Sequence, residues 1–195
     1  MWGLVQDGSI TKIINKPKGL VIEDTQYSRN IFSFRWTNEE REAIGLYEVV
    51  FDNSNKKDEA YYNNTNQSFA FADGKVTASY GTATARELED TVNEDDSITQ
   101  GLKSQKKANI KQQASSLLAP TDWYVVKAAE VESYSVPEAM TTYRADVRTA
   151  SNSMESKIDA CSTVDELAVL YQYVNTGTEE NPVMERPLGE FPEAV

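Results

Sequence analysis

The feature that most restricts the fold is a change of side-chain habit near residue 83. Before it, short β-prone runs are separated by turn pairs. After it, residues 83–118 hold few β-branched or aromatic side chains and are rich in Ala, Glu, Lys, Gln and Leu. Branched and aromatic residues suit a pleated, half-buried surface, whereas straight side chains lose little rotamer freedom in a helix. The chain is therefore expected to be α+β. It divides into a small, mostly antiparallel β-rich module at 1–82, a helical, helix-hairpin module at 83–177, and an extended acidic tail at 178–195.

Within the first module, "MWGLV" and "SITKIIN" flank Asp7-Gly8, and "QSFAFA" and "KVTASY" flank Asp73-Gly74. Asp-Gly is favoured where both central residues of a hairpin turn take positive φ. Between these hairpins lie the short apolar runs "GLVIEDTQY" and "NIFSF", then "TNEEREAIG". In that last run Thr37 and Glu40 have capping-box spacing and Gly45 is a stop, so a short helix is expected at 38–44, feeding the strand "LYEVVFD".

In the second module, six acids at 87–96 precede four lysines at 103–111. Helices are expected at 85–91 and at 99–118, the latter stopped by Pro120. Met140, Tyr143, Val147, Ala150, Met154, Ile158 and Cys161 recur at steps of three and four. Thr163 then caps a last helix bearing Val164, Leu167, Tyr171 and Val174, which answers that stripe as an antiparallel hairpin.

A net charge of −12 opposes a nucleic-acid groove or an anionic membrane surface, since both need clustered positive charge. No apolar run approaches the ~20 residues that span a bilayer, and "MWGLVQDGSI" lacks the pattern of a signal peptide. One cysteine, Cys161, excludes an internal disulfide, and the absence of histidine removes the commonest metal ligand and general base. A reducing cytoplasm is the expected compartment.

Several patterns fail as sites. "DNSNKKDEAYYN" from Asp52 lacks the sixth-position Gly and the final Glu of a calcium loop. Glu94, Asp95 and Asp96 read as solvated acids, and Gly101-Leu102-Lys103-Ser104 lacks the spacing of a phosphate loop. Asn63 and Asn66 sit in glycosylation patterns that matter only on a secretory route. Cys161 falls on an apolar stripe, as a core thiol does. Asp122, Glu130 and Glu138 lack a cleft motif for acid–base work. Tyr61, Tyr62, Phe69 and Phe71 fit sheet core better than a binding face. No catalytic residue, metal or cofactor is assigned.

The stretch "LAPTDWYVVKAAE" remains. Thr121 reads as an N-cap, Asp122 as a complement to the helix dipole, and Trp123 as a buried anchor. Pro137 opens the next helix, on which Arg144 and Arg148 stand four apart, so Asp122 and an arginine can form a clasp between the two helices. Leu118, Thr121, Asp122 and Trp123 followed by Pro137, Tyr143, Arg144 and Arg148 resembles bacteriophage tail assembly chaperones and tail-fibre-assembly-like proteins. The likeness covers roughly 115–150, with Lys127 and Val147 departing from the pattern. The front end, "MWGLVQDGSITKIINKPKG", looks like N-terminal modules of tail-associated proteins of marine and cyanobacterial phages.

That resemblance implies a non-enzymatic protein engaging a tail, tail-fibre or baseplate polypeptide, either in the host cytoplasm as an assembly chaperone or in the virion tail as a permanent subunit. A homo-oligomer in the virion is compatible with the second role. Tyr61, Tyr62, Leu188 and Phe191 are the candidate partner-binding residues.

Overall fold

The structure, a computed structural model, describes residues 1–194 of the chain. The fold is α+β: a β-rich N-terminal region with a curled sheet, followed by helices. Two compact units meet in sequence between Thr84 and Ala85.

In the first unit, β1 (Trp2–Gln6) and β2 (Ser9–Ile14) form a hairpin whose turn residues Asp7 and Gly8 have φ of 50° and 74°. This is the left-handed pair the Asp-Gly dipeptide favours. β1 also pairs with β5 (Leu46–Asp52), which runs parallel to β8 (Lys75–Ser79). β7 (Ser68–Ala72) completes the order β2-β1-β5-β8-β7 through a second hairpin, with Asp73 and Gly74 at φ 50° and 70°. The sheet is mostly antiparallel, as expected, with one parallel pair at β5–β8.

The curl has visible causes. A bulge opposite Leu4 and Val5 frees the Thr11 hydroxyl, which donates to the Leu4 carbonyl at 3.2 Å, and bulges sharpen strand twist. At Gly3 any Cβ would lie 2.9 Å from Val76 Cγ1, so glycine lets β8 fold in over β1.

Apolar residues accordingly cover both faces of β1. Val5, Val49, Val76 and Ala78 form one core with Tyr47, Phe69 and Phe71 against it. Leu4, Ile14 and Leu46 belong to another, which a second layer covers. That layer is the hairpin of β3 (Leu20–Ile22) and β4 (Thr25–Tyr27), a 3-10 turn at Arg29–Phe32, and α1 (Asn38–Ala43).

α1 begins as its sequence indicates. The Thr37 hydroxyl accepts from the Glu40 amide at 3.2 Å, and Glu40 Oε2 accepts from the Thr37 amide at 2.8 Å. Gly45 ends it at φ 77°, where a Cβ would sit 2.3 Å from the Val5 carbonyl oxygen. Arg41 is buried without a carboxylate partner. Its guanidinium donates to Ile31 O at 2.8 Å, Asn38 Oδ1 at 2.9 Å and Ser33 O at 2.6 Å, and lies over the Trp2 ring. It ties the turn and α1 to the sheet. A short strand, β6 (Tyr62–Asn63), and a second, β9 (Thr84–Ala85), complete this part of the chain.

In the second unit, residues 85–91 are not helical, contrary to expectation. A small hairpin, β10 (Thr91–Val92) with β11 (Ile98–Thr99), follows them. The acids there serve the next helix. α2 (Leu102–Leu118) starts at Gly101, which has no side chain to cap with. Asp90 Oδ1 accepts the Gly101 amide at 2.8 Å, while Glu87 O and Leu88 O accept the amides of Leu102 and Lys103. Preceding chain thus satisfies donors that would otherwise be orphaned.

α4 (Glu138–Ala160) packs antiparallel to α2. Met140, Tyr143, Val147, Met154 and Ile158 are buried, as their spacing indicates, and Ser151 takes the inward place expected for Ala150. The lysines of α2 form an interhelix ladder. Lys103 Nζ donates to Glu89 at 2.5 Å and to Asp159 O at 3.1 Å, Lys107 meets Asp159 at 2.6 Å, and Lys111 meets Glu155 at 3.3 Å.

Thr163 caps α5 (Val164–Leu170) in a second capping box. The chain then returns through a hairpin of β12 (Val174–Asn175) and β13 (Met184–Glu185). Leu188 is buried at 1% exposure, with its amide bonded to Leu170 O at 2.9 Å, and Lys157 Nζ donates to the carbonyls of Pro187 and Leu188. Within the segment expected as an extended tail, Pro187, Leu188 and Phe191 therefore lie against the unit's own helices, while residues 178–185 are exposed.

Candidate partner-binding surface

α3 (Asp122–Glu130) follows a 3-10 turn at Ala119–Thr121, which sets its rotational phase. Arg144, buried on α4, holds the start of α3. Its Nη2 lies 2.8 Å from Asp122 Oδ1, and its Nη1 donates to Leu118 O at 3.1 Å and to the Thr121 hydroxyl. The Thr121 hydroxyl in turn donates to Leu118 O at 2.7 Å. Thr121 is thus a buried bridge: its side chain makes no capping bond, because Leu118 O and Arg144 engage it. Arg148 is exposed and donates to Arg144 O at 3.1 Å, so one arginine makes the clasp and the other braces it. Pro137 stands just ahead of α4, where its carbonyl accepts the amides of Met140 and Thr141. Tyr143 is buried in the α2–α4 core.

Trp123 is not the buried anchor its position suggests; it is 51% exposed. The clasp turns Tyr124 and Ala128 inward instead, with Tyr124 packed against Ala114, Met140, Tyr143 and Val147. No residue of α3 is fully buried, and Trp123, Val125 and Val126 all face solvent. Val131, just beyond the helix, is exposed too. Lys127 lies between two rings, 5.8 Å from that of Trp123 and 4.3 Å from that of Tyr134. Helix phase explains why the exposure of Val125 and Val126 is not legible from the sequence. The 3-10 turn before α3 sets which of its side chains are covered.

The other partner-binding candidates are mostly inside. Tyr61, Tyr62 and Leu188 are buried, which withdraws them as surface contacts. Phe191 packs partly against the α2–α4 core and lines a surface groove with Asn109, Gln113 and Leu117.

Charge is unevenly divided. Met1–Thr84 carries eleven acids and nine bases, and Ala85–Val195 carries twenty and ten, so −10 of the net −12 belongs to the second unit. Its cations are turned to the unit's own groups. Lys103, Lys107, Lys111, Arg144 and Arg186 pair with carboxylates, Lys106 lies over the Tyr171 ring, and Lys157 caps carbonyls. Glu130 and Glu132 remain exposed at the end of α3.

Local hydrogen bonds shape several titrations. The Gly101 amide and Ser104 hydroxyl hold the Asp90 carboxyl below the usual aspartate range. Ser97 does the same for Asp95 within its own turn, and hydrogen bonding to Asp159 raises Lys107. Burial pushes the Cys161 thiol up. Among the described residues, no helix is long and apolar enough to cross a membrane, and no group of three or more acidic or Cys side chains is placed to hold a metal ion. Comparison with family models, with curated proteins and with solved structures gave no match to this chain.

Proposed function

We propose that this protein acts in bacteriophage tail or tail-fibre assembly as a non-enzymatic chaperone, holding a tail, fibre or baseplate polypeptide through its second unit in the host cytoplasm. The phage assignment rests on the resemblance of Leu118–Trp123 and Pro137–Arg148 to tail-assembly proteins. The observation that carries the binding role is the second unit's surface. Most of its cations are engaged by its own carboxylates, carbonyls and rings, the surplus acids include the exposed Glu130 and Glu132, and an apolar helix face stands uncovered beside them. Contiguous exposed apolar surface on a soluble protein marks interaction sites. A strongly negative field also selects against wrong partners and keeps the chaperone from associating with itself.

Permanent residence in the virion is the second reading. The C-terminal segment argues against it as a tether, because Leu188 and Lys157 already bind that segment to its own helices. Co-expression with each tail, fibre and baseplate polypeptide of the parent phage tests the proposal. A rise in the soluble fraction of one of them, with this protein absent from purified particles by mass spectrometry, is the expected result. Stoichiometric recovery from particles would place it among the structural subunits instead.

A further inference from the structure

Trp123 and Val126 on the outer side of a nine-residue helix, with Tyr124 and Ala128 turned inward, is the reverse of the usual arrangement. The clasp enforces that reversal. Arg144 binds the Leu118 carbonyl, the Thr121 hydroxyl and the Asp122 carboxylate together, and this fixes the rotation of everything that follows. Trp123, Val126, Lys127 and Glu130 then share one face, at helical spacings of three and four.

The patch carries its own indication of what it takes. Its rings are already engaged, Lys127 lying 4.3 Å from that of Tyr134 and the Trp123 ring 3.8 Å from that of Tyr124, so the acids beside them carry the charge recognition. Glu130 and Glu132 are exposed at its far end, within a unit of net charge −10. A second copy of this chain would bring the same negative field and meet repulsion. A segment carrying apolar side chains together with Lys or Arg would satisfy Val126 and Trp123 as well as the acids.

We propose that the outer face of α3, centred on Trp123 and Val126, is the docking site for a cationic amphipathic segment of the partner polypeptide. The proposal rests on the binding role set out above and names the site and the partner chemistry. Apolar residues of the segment cover Val126 and the exposed part of Trp123, and its Lys or Arg side chains reach Glu130 and Glu132. This is the helix-in-groove mode, with the anchors on the receiving side.

The test uses the full chain and a dye-labelled Leu/Lys amphipathic helical peptide, followed by fluorescence anisotropy. A Leu/Glu peptide of the same pattern is the control. Trp123→Ala and Val126→Glu alter exposed residues, and helical circular dichroism checks that both variants fold. Each should weaken Leu/Lys binding at least about tenfold, the loss of a central hot-spot residue. Replacing Glu94, Asp95 and Asp96 together by their amides should change it by less than about twofold, as expected of surface charge outside the contact.

Equal weakening by the amide variant would reduce the effect to diffuse charge attraction and overturn the proposal. So would equal binding of the Leu/Glu peptide, no binding of either, or a dimer in sedimentation that Val126→Glu dissolves. The two readings fail separately. If Val126→Glu still solubilises the tail polypeptide, this site is wrong and the chaperone role stands. If the parent protein solubilises none while peptide binding follows the pattern above, the site stands and the role falls.

Discussion

Replacing Asp122 by Ala removes the carboxylate paired with a guanidinium that is almost wholly covered. Asp122 Oδ1 stands 2.8 Å from Arg144 Nη2. With charge centres about 4 Å apart, the attraction is about 1 kcal/mol at the dielectric of water and about 4 kcal/mol at the effective value near a protein surface. Asp122's side chain is 60% exposed, which places the pair towards the lower figure and leaves it open to screening. Arg144 keeps the Leu118 carbonyl and the Thr121 hydroxyl, so it is not stranded. The net cost should be about 1–2 kcal/mol.

Arg144→Met behaves differently, because an apolar chain of similar length can fill the site while Asp122 turns to water. The double variant Asp122→Ala/Arg144→Met should therefore lose less than the two single losses added, by about 1 kcal/mol. Urea unfolding followed at 222 nm reads this, because α2 to α5 all belong to the second unit. Raising salt should shrink the Asp122→Ala cost. Strict additivity, or a cost indifferent to salt, would refute the clasp as an electrostatic device.

Other perturbations separate the remaining parts of the argument. Gly45→Ala should destabilise the first unit by at least about 2 kcal/mol, combining a positive-φ penalty with a clash against the Val5 carbonyl; near-ultraviolet circular dichroism of Trp2 and Trp36 follows it, and a neutral result would contradict the close approach of Gly45 to β1. Leu188→Ala should cost about 2–5 kcal/mol in urea unfolding, as for a buried core leucine; a loss under about 0.5 kcal/mol, typical of surface sites, would mean the returning segment is not docked. Because its native carboxyl titrates below the ordinary range, Asp90 supports the start of α2 above the unfolded pKa, and that support disappears as pH falls through the lowered native value. The protection factor of the Gly101 amide in hydrogen exchange, taken relative to the intrinsic rate at each pH, should fall accordingly, and a protection factor that does not change with pH would sink the assignment. Cys161, buried and donating to Lys157 O at 3.4 Å, should react with iodoacetamide only as fast as the second unit opens; rapid labelling of the native protein would disprove this.

Local signals in the sequence carried far. Asp7-Gly8, Asp73-Gly74, the Thr37–Glu40 box and Thr163 each act through neighbours within a few residues, and each appears where its chemistry indicates. The α4 stripe was legible for the same reason, since 23 residues of helix give the period time to emerge. What depends on distant partners was not. Acids at 87–90 have helical composition, yet Glu87, Leu88 and Asp90 serve the amides of α2 from outside it. The parallel β5–β8 pair leaves no mark in either strand. The Asp122–Arg144 clasp was visible as a spacing, but its effect on the rotation of α3, and hence on Trp123, depends on Leu118 and Thr121 joining the same guanidinium.

The burial of β1 on both faces bears on how the protein is made. The strand leaves the ribosome ahead of its partners and can close its hairpin with Ser9–Ile14 at once, yet its other edge waits for Leu46–Glu48. Val76, the side chain that needs the space above Gly3, is synthesised later still. Loop closure of this span is slow beside the formation of helices, so the nascent chain carries an apolar hairpin with one edge of β1 unpaired for dozens of residues of synthesis. Folding of the first unit is set by its last strands to emerge.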